Sequence, residues 1–355
     1  MKIGILTFVG TQSHGACWQA YALKRTVERL GHEAEIINYH CAKIDAVKAD
    51  KYPSHAKGIK KIGAYLKYPI YRSRFDKFEL FEQNMLQLSS EMTADQIEQA
   101  YDRVIVGSDQ IWNLDITGGD NTFFLPMVKD QRKKLSYAAS LGTDSFAESD
   151  EAKCIGWLSD FAYINVREES LRTYLSNRMD REISCVIDPT QLLKQKEWDE
   201  LAGKVPNIKG KYLYVHAPNE TIENWEAIYA IAERYNLKIV YQTNRIYQKK
   251  GCRCLYSVSP EEYLNNIKFA AFVVTGSFHT LSFSLLFGRQ FLCTESMIKG
   301  RNSRITNLLH FADCESRLLS SEQINTLEDI DYMTVQGKLQ THVEFSMSRL
   351  ESMLK

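Results

Sequence analysis

Lys2-Ile3-Gly4-Ile5-Leu6-Thr7-Phe8 reads as a short apolar strand, and Val9 to Gly15 after it as a turn-rich loop. From Ala16 to Leu30 the apolar residues Trp18, Ala22, Leu23, Val27 and Leu30 recur at helical spacing, and Gly31 stands where a helix C-cap belongs. Glu35 to Tyr39 then reads as a second strand. Strand, loop at the strand's carboxyl end, helix and strand make a βαβ unit, the building block of a doubly wound α/β sheet.

The same punctuation continues outward from this unit. Arg103 to Val106 is a buried strand ending in Gly107-Ser108-Asp109-Gln110, and Leu135 to Ala139 is one ending in Ser140-Leu141-Gly142. Tyr163 to Arg167 and Ile183 to Ile187 follow, the latter closed by Asp188-Pro189-Thr190. A second alternating set comprises strand Lys211 to His216, helix Ile222 to Tyr235 and strand Leu237 to Gln242. Helix Pro260 to Lys268 opens with Ser259 as N-cap and Glu262 three residues on, a capping box. Strand Ala270 to Thr275, helix His279 to Phe287, strand Arg289 to Cys293 and a terminal helix Thr334 to Met353 complete the set. The pattern predicts an N-terminal Rossmann-like domain over 1–195, a second over 196–330 and a C-terminal helix over 331–355. Ligands of such sheets sit outside the carboxyl ends of strands, so the loops named above are where a site is expected.

Composition narrows the function. Lys+Arg and Asp+Glu both number 44, a formal net charge of zero, which argues against a nucleic-acid partner. The eight cysteines are scattered, and Cys252-Arg253-Cys254 is their only close pair. That spacing suits small, reduced core residues and predicts no metal site. Met1 to Leu6 lacks a signal-peptide layout. The most apolar stretch, Phe269 to Cys293, is interrupted by Ser277, His279, Ser282 and Arg289, which fits a buried strand and helix rather than a membrane span. The expectation is a soluble, cytoplasmic protein. Residues 41–81 look irregular and basic, with ten Lys or Arg (among them Lys43, Lys67 and Arg74) against Asp45, Asp50, Asp76 and Glu79. Two readings stand for this stretch. It is a solvated helical face, or its lysines and Ile59, Ile62, Tyr65, Leu66 and Ile70 rest peripherally on the inner face of an anionic membrane.

Seven blocks, in order from Met1 to about Leu319, resemble the polysaccharide pyruvyl transferase family. They are the opening Gly4 to Phe8 with Gly15-Ala16 and Gln19 to Leu23; Val106-Gly107-Ser108-Asp109-Gln110-Ile111-Trp112-Asn113; Ser136 to Gly142; Val166-Arg167-Glu168-Glu169-Ser170; Ile187 to Thr190; Val258 to Glu262; and Thr275-Gly276-Ser277-Phe278-His279. The resemblance implies two Rossmann-like domains facing across a cleft, as in GT-B glycosyltransferases, with the acceptor on the N-terminal side and the donor on the C-terminal side. It further implies transfer of a pyruvyl group from phosphoenolpyruvate to a sugar as a cyclic ketal. The setting would be exopolysaccharide or capsule biosynthesis, with a saccharide acceptor that a lipid could carry. Phosphoenolpyruvate is then a co-substrate and no cofactor is needed. This chain departs from the family at Gly276, where many relatives have Asp, at Thr280, where they usually have Gly, and at Ser13-His14, in place of the usual Asn-Tyr.

That chemistry needs an acid for the methylene carbon, a base for the attacking hydroxyl and positive charge near the departing phosphate. His279 lies where a buried strand turns into a helix, a place that aims a side chain at a ligand, and the resemblance makes it the acid/base. Its alternative is a histidine satisfied within its own loop. Asp109 follows a Gly-Ser turn at a strand end and suits a base or a sugar-orienting carboxylate. By resemblance Arg167 is a donor-binding arginine, against the alternative of a salt bridge to Glu168 or Glu169. Ser277 and Phe278 flank the donor site, and Arg304 either offers a further cation or belongs to a solvated basic turn. Ser13, His14, Gln110, Trp112 and Asn113 are expected around the acceptor, Trp112 by stacking on a sugar or else by packing internally. Two rivals remain: a GT-B glycosyltransferase using a nucleotide-sugar donor, and a non-catalytic sugar-binding protein.

Overall fold

A computed structural model describes residues 1–49, 60–217, 225–295, 302–319 and 327–355. The chain forms two compact units. Unit 1 comprises Met1–Tyr68, Phe78–Leu193 and Thr341–Lys355; unit 2 comprises Pro69–Lys77 and Lys194–Gln340.

In unit 1, β1 (Lys2–Leu6), β2 (Glu33–Ile36), β3 (Arg103–Val106), β4 (Lys134–Ala139), β5 (Tyr163–Val166) and β6 (Ile183–Cys185) form a sheet ordered β2-β1-β3-β4-β5-β6. Every pairing is parallel. A parallel sheet is covered on both faces, so its strands must be apolar almost throughout. Accordingly Ile3, Ile5, Leu6, Val104, Ile105 and Val106 are wholly buried. The helices are α1 (His14–Arg29), α2 (Ala42–Ala49), α3 (Lys60–Phe81), α4 (Ile97–Ala100), α5 (Leu114–Thr117), α6 (Glu148–Leu158) and α7 (Glu169–Ser176). Trp18 of α1 packs edge-on against Phe81, with ring centroids 4.7 Å apart.

In unit 2, α8 (Gln195–Leu201) precedes β7 (Tyr212–His216), α9 (Trp225–Arg234), β8 (Lys238–Gln242), β9 (Cys252–Leu255), α10 (Pro260–Lys268), β10 (Phe272–Thr275), α11 (Phe278–Leu286), β11 (Gln290–Cys293), α12 (Ser303–Phe311) and α13 (Tyr332–Met353). The sheet runs β11-β10-β7-β8-β9, again parallel throughout. Thr341 onward in α13 packs with unit 1, where Ser346 Oγ accepts from Ile187 N–H at 2.9 Å.

The expected α/β class, the two Rossmann-like sheets and the C-terminal helix are all present. Some elements differ from expectation. The 41–81 stretch, read as irregular, is α2 and α3 where described, while 50–59, including Ile59, lie outside the described residues. α3 continues past Pro69, which a sequence reading treats as a helix breaker. β9 was not expected: it is an edge strand whose charged Arg253 is exposed, so it lacks the apolar run of its neighbours. The predicted start of α9, 222–224, lies outside the described residues. No described helix is long and apolar enough to cross a membrane.

Candidate functional site

Each unit gathers polar side chains at the carboxyl ends of its strands. In unit 1 the chain leaves β3 through Gly107, whose φ is +126°. A Cβ at Gly107 would stand 2.2 Å from the Tyr137 carbonyl oxygen, so only glycine fits. Ser108 is wholly buried. Its N–H donates to Gln19 Oε1 at 3.0 Å, and its hydroxyl lies 3.0 Å from Ala138 O and 3.1 Å from Asp188 Oδ2. Asp109 follows with a positive φ of 80° and is 8% exposed.

Behind Asp109 lies Arg167, only 2% exposed, which meets three carboxylates. Its Nη1 donates to Asp188 Oδ2 at 2.9 Å, its Nε to Glu168 Oε1 at 3.4 Å, and Nη2 is 3.6 Å from Asp109 Oδ1. Burial works against the guanidinium's charge, but Glu168, Asp188 and Asp109 outweigh it and hold its pKa above the usual value. Glu168 also accepts from Ser140 Oγ at 2.7 Å, and Asp188 from Thr190 N–H and Oγ1 at 3.0 and 2.8 Å. Arg167 thus makes the salt bridge to Glu168 that stood as the alternative to a donor-binding role, and it sits beside Asp109.

Trp112 follows its internal-packing alternative. It is wholly buried, stacks on Phe124 at 6.0 Å and donates its indole N–H to Phe123 O at 3.0 Å. A ring in the core offers no face to a sugar. Asn113 caps α5, its Oδ1 accepting from Asp115 and Ile116 N–H and its Nδ2 donating to Leu141 O. Gln110 is half-buried against Gly142, where a Cβ would come within 1.9 Å of Gln110 Oε1. Ser13 is exposed as the N-cap of α1, accepting from Ala16 N–H at 3.3 Å. His14 is buried edge-on to Phe78 at 5.0 Å. In the same loop Gly10 N–H donates to Glu82 Oε1 at 2.8 Å, and burial raises the Glu82 pKa.

In unit 2, Ser277 caps α11, accepting from Thr280 N–H at 3.5 Å, and Phe278 and His279 occupy the first turn. His279 is 7% exposed, its ring edge-on to Phe278 with centroids 5.0 Å apart. Beneath it the next residue, Thr280, is wholly buried. Thr280 Oγ1 lies 2.6 Å from His216 Nδ1 at the end of β7 and 2.9 Å from Tyr263 Oη. Thr280 therefore joins a polar network that a glycine at this position could not make. Arg304 is half-buried in the first turn of α12, which packs against α11. The neighbouring Arg301 lies outside the described residues.

The sequence reading did not single out Gln19, His216 or Tyr263. His216 closes a predicted strand, and its strand-end position was the signal available. Burial, and secondarily Arg74, lowers its pKa from 6.5 to about 3. Unfolded, His216 takes up a proton below its usual pKa; folded, it refuses that proton until far lower pH. Its contribution to stability is therefore complete above about pH 6.5 and is lost as pH falls toward 3, at about 1.4 kcal/mol per pH unit. Urea unfolding between pH 7 and pH 5 should show this slope, and His216→Gln should flatten it; equal slopes in both proteins would disprove the assignment.

The polysaccharide pyruvyl transferase family profile matches residues 14–296, most of the chain and every strand-end loop named above except the opening of the first. The chain belongs to the polysaccharide pyruvyl transferase family. Among solved structures, this pyruvyl transferase family member is similar to a Listeria monocytogenes protein provisionally assigned as a UDP-N-acetylglucosamine 2-epimerase. That match has 11% identity and a TM-score of 0.52, covering 99% of this chain and 90% of that one. It is also similar to S. aureus MnaA in a co-structure with UDP, at 13% identity and TM-score 0.51, covering 98% and 91%. At such identities the likeness shows the fold alone, which is of the GT-B kind. The search of curated proteins finds no match. Membership in the family makes this chain a transferase at the family level.

Proposed function

We propose that the protein transfers the pyruvyl group of phosphoenolpyruvate to a sugar of a surface-polysaccharide precursor, closing a cyclic ketal. The observation that carries the reading is His279, held in the first turn of α11 at the carboxyl end of β10, within the span that matches the family. In the proposed reaction a proton goes to the methylene carbon of phosphoenolpyruvate, which becomes the methyl group. One sugar hydroxyl adds to the central carbon, phosphate leaves, and a second hydroxyl closes the ring. Each hydroxyl gives up its proton, so sugar plus phosphoenolpyruvate balances ketal plus phosphate. His279 supplies and removes protons at the donor, while Asp109, steadied by Arg167, receives a hydroxyl proton or orients the sugar. Arg304 supports the donor, and Ser13, His14 and Gln110 line the acceptor side. No cofactor beyond the co-substrate is called for. Phosphate release from phosphoenolpyruvate in the presence of lipid-linked oligosaccharide tests the reading. Stabilisation by a nucleoside diphosphate but not by phosphoenolpyruvate would replace it with the glycosyltransferase reading.

A lipid-linked acceptor would bring the protein to the inner face of the membrane. Ile62, Tyr65 and Leu66 of α3 are 67%, 58% and 77% exposed, with the exposed Lys67 beside them. Spaced i, i+3 and i+4, they share one helical face of the kind that enters a bilayer interface. Flotation should show binding to vesicles rich in anionic lipid, and Leu66→Glu should weaken it roughly tenfold. Equal flotation of the two proteins would refute the contact.

A further inference from the structure

The donor reading asks for fixed positive charge, and Ser277, two places before His279, supplies none. We propose that Arg74, carried by the Pro69–Lys77 segment of α3, is the cation that binds the anionic group of the donor in unit 2. The proposal rests on the phosphoenolpyruvate reading above and adds to it a residue from outside the seven family-like blocks.

The placement of the segment is the first ground. Pro69–Lys77 belongs with unit 2, although it lies within a helix whose other residues belong with unit 1. Ser73 Oγ lies 3.0 Å from Ser257 Oγ, and Lys77 Nζ donates to Ser257 O at 2.9 Å and pairs with Glu262 at 2.7 Å. Ser257 and Glu262 bracket the passage from β9 into α10, so these bonds fasten the segment at the carboxyl end of the sheet. Arg74 sits one residue after Ser73 and three before Lys77, hence on the helix face that Lys77 presents to this loop.

Burial is the second ground. Arg74 is 7% exposed, a rare state for an arginine. Burial, opposed by Tyr71, lowers its pKa to about 10, so it remains a cation at neutral pH. Its charge also acts on His216, helping to keep that imidazole neutral. His216 in turn meets Thr280, the residue after His279. A permanent cation, a neutral imidazole and the proton-transferring histidine thus belong to one connected neighbourhood. A guanidinium suits it chemically, because its planar fork matches both a carboxylate and a phosphate.

The test is isothermal titration of the full-length protein with phosphoenolpyruvate and, separately, with inorganic phosphate. Arg74→Met should weaken phosphoenolpyruvate binding roughly ten- to a hundredfold, the worth of a charged hydrogen bond, and phosphate binding in parallel. Unchanged affinity in a folded Arg74→Met protein overturns the proposal. Should that variant fail to fold, Arg74→Lys decides: it keeps the charge but loses the fork, so a higher KM for phosphoenolpyruvate supports the role and an unchanged KM overturns it. The two readings fail separately. Phosphate binding that depends on Arg74 without turnover of phosphoenolpyruvate would sink the pyruvyl reading alone. Normal turnover by Arg74→Met would sink the Arg74 proposal alone.

Discussion

His279→Ala should sharply lower phosphate release from phosphoenolpyruvate and leave the fold in place. A positioned acid or base contributes about 10²- to 10⁴-fold, so kcat should fall by that factor. The loss should appear at saturating phosphoenolpyruvate, because alanine removes the proton carrier rather than the donor's binding charge. The structural cost should be small. The ring lies at the start of α11, where Ser277 provides the cap, and Thr280 Oγ1 meets His216 and Tyr263 directly. Far-UV circular dichroism and the unfolding midpoint check the fold, and turnover checks the role. A folded variant with near-normal turnover would move the proton transfer to another residue.

Arg167→Leu should do the opposite and damage the fold first. The guanidinium is the cation among Glu168, Asp188 and Asp109. Removing one member of a buried ion pair costs about 3–5 kcal/mol, because the remaining charge stays buried without its counterion. Three carboxylates would be left here, so the loss should sit at the upper end. Asp188→Asn should cost less, since two carboxylates would still face Arg167. Urea denaturation of both variants measures the difference. If Arg167→Leu unfolds like the wild type yet loses phosphoenolpyruvate binding, the arginine meets the donor after all and the positioning role is wrong.

Much of the fold could be read from the chain. The end of β3 is legible because the apolar run Val104 to Val106 stops at glycine; the start of α10 likewise, because Ser259, Pro260 and Glu262 mark a helix start without help from tertiary contacts. β9 was missed because an edge strand need not be apolar on both faces, and α3 because Pro69 and a run of lysines look like an interruption. The site was less legible, for a physical reason. A motif places a residue on a loop but does not say which way its side chain turns. Trp112 turns into the core and Ser108 under the sheet end. Arg167 is enclosed by carboxylates that lie as far off in sequence as Asp109 and Asp188. Arg74 shows in the sequence only as one charge of a basic run, because its burial arises when Pro69–Lys77 packs within unit 2.

The return of Thr341–Lys355 to unit 1 has a consequence for biosynthesis. The ribosome finishes the main body of unit 1 at Leu193, yet Ser346 and Met353, which bond Ile187 and Asn165, are made about 150 residues later. At ordinary elongation rates that is a wait of roughly 7–30 s, during which the nascent unit lacks one of its covering elements. Cutting the gene after Leu193 would make the wait permanent, so expressing the halves separately should yield a first half that aggregates unless the last segment is grafted back.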